Sequence, residues 1–264
     1  MGVTERAKEV GLWRRVEVLG DVGILSLPFR FQMESAKEFA QEVMMRMNLK
    51  SVWGRFRGVR SEYRLSEYVH LAGEERSEVT YRENGCTFKL DFTKVFFSQT
   101  LSFEHLRVGK EVRSGEVVVN MFAGFGPFSV IAAKIGRPKV VYSIDLNPYA
   151  YYYMHVNRSL NDTPEVVPIF GDAFERRREL RIADRIIAPL PERWRDVWKV
   201  VHKHARSGTQ VHLYVQVEVK KRENPLAKAE ELVPEGERYR VVRSLKPTLY
   251  HVAVDLEVTR RTYP

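Results

Sequence analysis

Between Glu116 and Asp145 the chain runs strand, glycine loop, helix, strand and acidic residue, an order that few folds accommodate. Val117-Val118-Val119 is an unbroken β-branched run, the pattern of a strand buried on both faces. The next segment, Asn120 to Phe128, carries Gly124 and Gly126. Glycines there let the backbone approach a ligand without a Cβ in the way. A small-residue helix follows from Ser129 to Ile135, and its N-terminus favours a carboxylate or phosphate. Asp145 stands just past the second strand, where an acidic side chain accepts hydrogen bonds from ribose hydroxyls. Asp172, after the third strand, is placed to accept from an adenine amino group. Each residue alone is explained by a turn or a helix start. Together, in register, they point to a nucleoside cofactor. The loop lacks the third glycine of a dinucleotide fingerprint and the GK[ST] of a P-loop. A smaller ligand such as S-adenosylmethionine fits, with its carboxylate at the loop.

The alternation continues downstream. Val140 to Ile144 is a strand, and Asn147 with Pro148 opens a helix as N-cap and N1. Val166 to Phe170, Arg185 to Ile187 and Val211 to Val219 read as strands. Arg240 to Ser244 and His251 to Val258 pair around Lys246-Pro247. The pattern predicts an α/β, Rossmann-like doubly wound parallel sheet with an antiparallel C-terminal edge over residues 111–264. Residues 1–110 read as a small α+β domain. Val16 to Leu27 is two strands broken at Gly20-Asp21. Ser35 and Glu38 form a capping box before an apolar stripe of Ala36, Phe39, Ala40, Val43, Met44 and Met47. Asn84-Gly85 marks a hairpin between Val79–Arg82 and Thr87–Phe92.

The chain has 264 residues, and its 43 Lys+Arg against 34 Asp+Glu give a net charge of +9. That balance favours polyanionic partners. Trp53-Gly54-Arg55-Phe56-Arg57-Gly58-Val59-Arg60 interleaves cations with aromatics, which suits phosphate contacts and base stacking. Arg176–Arg178 and Lys220–Arg222 are further basic runs, equally explained as solvated faces. A single cysteine, Cys86, excludes an internal disulfide and a cysteine-based metal site. No apolar run approaches the ~20 residues of a membrane span, and the N-terminus carries no apolar leader. The expectation is a cytoplasmic protein without membrane or metal partners.

Several ordered motifs resemble one family, the archaeal and eukaryotic tRNA (guanine-37-N1)-methyltransferases. Asn120-Met121-Phe122-Ala123-Gly124-Phe125-Gly126-Pro127-Phe128 resembles their DMFAGVGPFS signature. Glu62-Tyr63-Arg64 with Gly73-Glu74-Glu75-Arg76 resembles EYR…GEER, and Leu101-Ser102-Phe103-Glu104-His105 resembles LSTEH. Glu83-Asn84-Gly85 and Lys89 to Ser98 resemble ENG…KVDxxKVYFS. Asp145-Leu146-Asn147-Pro148 matches DxNP, and His251 to Asp255 matches a C-terminal strand. The resemblance spans residues from about 11 to 260 and implies methyl transfer from S-adenosylmethionine to N1 of guanosine 37 in the tRNA anticodon loop, by a monomer. It implies Glu104 as general base and Arg64 as the cation stabilising guanine O6. It places the cofactor on Asn120, Phe122, Ala123, Gly124, Gly126, Asp145, Leu146, Asp172, Ala173 and Ala188. Pro189, Leu190 and Pro191, with Arg55, Arg57 and Arg60, fall on the substrate side. The chemistry agrees: the N1 proton must leave before N1 attacks, and charge builds on O6.

Two departures bear on the substrate. Asn120 replaces the family's aspartate, so any contact to the cofactor ammonium loses a charge. Pro189 replaces the asparagine of the family's NLP loop and has no side chain to bond the target base. It leaves the carbonyl of Ala188 as an alternative contact. The alternatives are a wyosine-pathway enzyme, transferring an aminocarboxypropyl or a methyl group to a tricyclic guanosine-37 derivative, and a non-catalytic RNA-binding protein of the same fold.

Overall fold

The computed structural model describes residues 16–28, 30–56 and 65–259. The chain divides into two compact units, residues 1–97 and 98–264. In the first, β1 (Val16–Leu19) and β2 (Val22–Ser26) form the expected hairpin. Helix α1 (Met33–Arg46) crosses to β3 (Ser51–Arg55), parallel to β2, and β4 (Tyr68–Gly73) closes the four-stranded sheet in the order β1-β2-β3-β4. Helix α1 buries Ala36, Phe39, Ala40 and Val43 against Leu25, Leu27, Val52 and Leu71. Its start differs from the capping-box expectation. Gln32 is the N-cap, and Ser35 lies inside the first turn with its hydroxyl 3.4 Å from Gln32 Oε1. Met47, expected in the core, is 39% exposed because the helix has ended at Arg46. Strands β5 (Glu78–Glu83) and β6 (Cys86–Asp91) flank Asn84-Gly85, both at positive φ, the requirement of a type I′ turn.

The second unit carries α2 (Ser102–Glu111), β7 (Val117–Asn120), α3 (Pro127–Gly136), β8 (Val140–Asp145), α4 (Pro148–Leu160) and β9 (Val166–Phe170). These are followed by α5 (Arg177–Ile182), β10 (Arg185–Ala188), α6 (Trp194–His204), β11 (Gln210–Glu218), α7 (Pro225–Leu232), β12 (Arg238–Lys246) and β13 (Leu249–Glu257). The seven-stranded sheet runs β12-β13-β11-β10-β7-β8-β9. Strands β9, β8, β7, β10 and β11 pair in parallel; β13 is antiparallel to β11 and β12 to β13. Chain order reverses between β7 and β10, so the crevice beyond their carboxyl ends is where such sheets bind ligands. The predicted sheet and its antiparallel edge are both present.

The division falls earlier than the change of pattern near residue 110, because α2 packs on α3. Gly109 permits that approach: a Cβ there would stand 3.0 Å from Ile131 Cγ2. Helix α3 is accordingly buried from Pro127 through Ala133. Residue 104 therefore sits in the same unit as the glycine loop.

Candidate active site

The glycine loop is stitched to both neighbouring strands. Met121 N–H donates to Ile187 O at 2.9 Å and Ala123 N–H to Ile144 O at 2.9 Å. Gly124 (φ +57°) and Gly126 (φ +94°) occupy the left-handed region. A Cβ on Gly124 would meet nothing within 4 Å, so the loop faces open space there. Asp145 closes the loop from β8: its Oδ2 accepts from Gly124 N–H at 2.7 Å and its Oδ1 from Asn147 N–H at 2.9 Å. Burial pushes the Asp145 carboxyl above its ordinary value, and these backbone amides offset that only in part. Each oxygen keeps a lone pair for a ligand hydroxyl.

Asn120 ends β7 fully buried. Its Nδ2 donates to Ser129 Oγ at 3.0 Å. Its Oδ1 has no hydrogen-bond partner among the described residues. The amide is thereby turned to present an uncharged acceptor. A buried orphan acceptor costs about 1–3 kcal/mol unless something donates to it. Apolar surface completes the crevice rim. Leu146 is 39% exposed, and Phe122 packs on Phe174 with ring centroids 5.6 Å apart. Asp172 Oδ1 accepts from Phe174 N–H at 2.9 Å, which orients the carboxylate beside buried Ala173. Beyond β10, Ala188 O, the alternative contact for the target base, accepts from Leu190 N–H of its own loop at 3.0 Å. Pro189 and Leu190 are half-buried, and Pro191 is buried.

Glu104 is 2% exposed, and charged and polar groups hold its carboxylate. Arg107, one helical turn on, donates Nε to Oε1 at 3.2 Å and Nη2 to Oε2 at 2.9 Å. Tyr214 of β11 donates its hydroxyl to Oε2 at 3.0 Å. Burial, then the Glu104 charge, pushes the Tyr214 hydroxyl well up, so it stays a donor. The Tyr214 ring also meets Phe128, at the start of α3, with centroids 5.9 Å apart, which ties Glu104 to the helix that follows the loop. Arg107 extends the network: Nη1 reaches Glu111 Oε1 at 3.0 Å and Asp255 Oδ2 at 2.7 Å. Asp255 pairs with His212 Nδ1 at 2.6 Å, and His212 Nε2 meets Arg185 Nη1 at 2.8 Å. Arginine can only donate, so His212 accepts at Nε2 and donates from Nδ1 to Asp255. Burial would raise the Asp255 carboxyl, but His212 and Arg107 outweigh it and hold it at about 2. Glu111, His212 and Asp255 bring metal-ligand atoms within 4.8 Å of one another. The guanidinium groups of Arg107, Arg185 and Arg238 supply the positive charge among them.

Of the other expected residues, Arg55 is committed to an ion pair with Glu17 at 3.0 Å. Arg57, Arg60 and Arg64 lie outside the described residues. Arg107, Tyr214, His212 and Asp255 were not singled out as site residues. Arg107 was findable at helical spacing from Glu104. The others depend on strand register, in which His212 stands opposite Asp255. No described helix is long and apolar enough to cross a membrane.

Residues 79–242 match the TRM5/TYW2 methyltransferase domain. The chain belongs to that family. It is 52% identical over 247 residues to the tRNA 4-demethylwyosine(37)-methyltransferase Taw21 of Saccharolobus solfataricus, covering 93% of this chain and 94% of that one. It is 34% identical over 272 residues to the tRNA (guanine(37)-N(1))-methyltransferase Trm5b of Pyrococcus abyssi, covering 92% of this chain and 74% of that one. The crystal structure of the P. abyssi protein matches with a TM-score of 0.80 over 98% of this chain and 79% of that one, at 33% identity. The crystal structure of Methanocaldococcus jannaschii TYW2 in complex with AdoMet matches with a TM-score of 0.65, at 26% identity, over 92% of this chain and 98% of that one. The expected family and the Rossmann-like fold are therefore correct.

Proposed function

We propose that this protein methylates the tricyclic base 4-demethylwyosine at position 37 of tRNA, with S-adenosylmethionine as donor. The observation that carries this is the 52% identity to a 4-demethylwyosine methyltransferase over nearly both full lengths, against 34% to a guanosine-N1 enzyme. The primary expectation of N1 methylation gives way to its alternative. Pro189 agrees, since the side chain that would bond a guanine edge is missing.

S-adenosylmethionine, when bound, supplies a methyl group on a cationic sulfur. The crevice residues fit that group. Asn120 Oδ1 would accept from its ammonium, Asp145 from its ribose hydroxyls, and Asp172 from its adenine amino group. Leu146, Phe122, Ala173 and Ala188 would line the adenosine, and the open face of Gly124 would admit the amino-acid tail past Ala123 and Gly126. Glu104 accepts the proton released at the methylated position. Its Oε2 already takes Tyr214 and Arg107, so Oε1 carries the spare capacity. The first unit supplies RNA contacts through Arg57, Arg60 and Arg64, and Pro189, Leu190 and Pro191 border the base.

The test is incubation with labelled S-adenosylmethionine and two tRNAs, one an unmodified transcript with guanosine 37 and one carrying 4-demethylwyosine there. Mass spectrometry of the nucleosides should find a methyl group added to the tricycle. Methylation of guanosine alone, or an aminocarboxypropyl addition, would overturn the reading.

A further inference from the structure

Phe103 is 61% exposed, directly before the buried Glu104. A phenyl ring left in solvent at that point contributes little to the unit's core. Arg240, from edge strand β12, places its guanidinium over the ring at 5.3 Å from the centroid. The same guanidinium stands 3.8 Å from Glu104 Oε1, the less occupied oxygen. One cation thus ties an exposed aromatic face to the carboxylate.

We infer that Phe103, held by Arg240, is a stacking platform that selects a widened, tricyclic base over guanine at the site served by Glu104. The inference rests on the tricyclic-substrate reading above and extends it to a residue. A flat ring stacks on any base, and the gain grows with overlap, so three fused rings gain more than two. Threonine presents a hydroxyl and a methyl group and offers no such face. Arg240 adds a cation to the stack and screens one side of the ring, leaving the other for the base.

The test compares Phe103→Thr, which removes the ring, with Phe103→Tyr, which keeps it. Affinities for the guanosine-37 transcript and for the tRNA carrying 4-demethylwyosine are measured by filter binding. KM and kcat are measured wherever there is turnover, and cofactor affinity serves as the folding control. Phe103→Thr should weaken the tricyclic tRNA roughly tenfold relative to the transcript, mainly in KM, while Phe103→Tyr stays near the parent protein. An unchanged ratio of the two affinities, or equal loss by Thr and Tyr, overturns the platform. Failure of the parent protein to turn over the tricyclic tRNA overturns the substrate reading instead, and the affinity ratio still decides Phe103.

Discussion

The two halves of the candidate site treat charge in opposite ways. Around Glu104, carboxylates and guanidiniums saturate one another across α2, β11 and β13, and Asp255 is held down at about 2. Around the glycine loop, carboxylate and amide meet only backbone N–H groups and a serine, and burial pushes Asp145 up. The first region balances its charges without a ligand and leaves only Glu104 Oε1 with room for a further donor. The second holds, in Asn120 Oδ1, a buried acceptor with no partner among the described residues. A carboxylate that must stand at a fixed point is best held by paired charges, whereas a binding crevice gains affinity from acceptors left waiting.

Removing the cation at the centre of the paired region should produce the largest effect. Arg107→Met leaves Glu104, Glu111 and Asp255 without their common partner. Breaking a buried pair this way costs about 3–5 kcal/mol. Urea unfolding should show that loss, and turnover should fall with it. A loss below about 1 kcal/mol would mean the cluster is solvated and the contrast with the crevice is false.

Acid should act next, and selectively. Asp255 drops from its usual 3.8 to about 2 in the folded protein. A depressed carboxyl contributes stability above its unfolded pKa, and that contribution disappears as pH falls from about 4 to about 2. The shift corresponds to about 2 kcal/mol. Asp255→Asn should be less stable at neutral pH and should lose less than the parent protein across that window. Equal acid slopes in the two proteins would remove Asp255 from the account.

The same contrast explains what the sequence alone revealed. The crevice was legible because it is local: strand, glycines, helix and the post-strand Asp145 occupy one stretch, and their periodicities are short-range. Asn147 with Pro148, and Asn84-Gly85, were legible for the same reason, since caps and type I′ turns are set by adjacent residues. The Glu104 network was not, because it joins α2 to strands more than a hundred residues later. His212 and Asp255 meet only because β13 pairs antiparallel with β11 in one register. The compact units divide at residue 97, earlier than the change of pattern, for a related reason. Helix α2 follows the strand-rich half in sequence but buries its face on α3.

The smallest predicted effect bears most directly on the crevice. Asn120 Oδ1 is buried without a partner among the described residues, while Nδ2 is fixed on Ser129. Asn120→Leu removes the waiting acceptor and should weaken S-adenosylmethionine about tenfold by calorimetry. Asn120→Asp keeps the acceptor and adds a charge, buried until an ammonium arrives. That charge costs the free protein desolvation and is recovered on binding. Thermal melts should therefore show Asn120→Asp lower in Tm than the parent without cofactor, but raised further when cofactor is added. If the leucine variant binds as tightly as the parent and the aspartate variant shows no larger ligand-induced rise, the orphaned oxygen does not face the ligand. The crevice would then be as closed as the Glu104 cluster, and the comparison between the two regions would collapse.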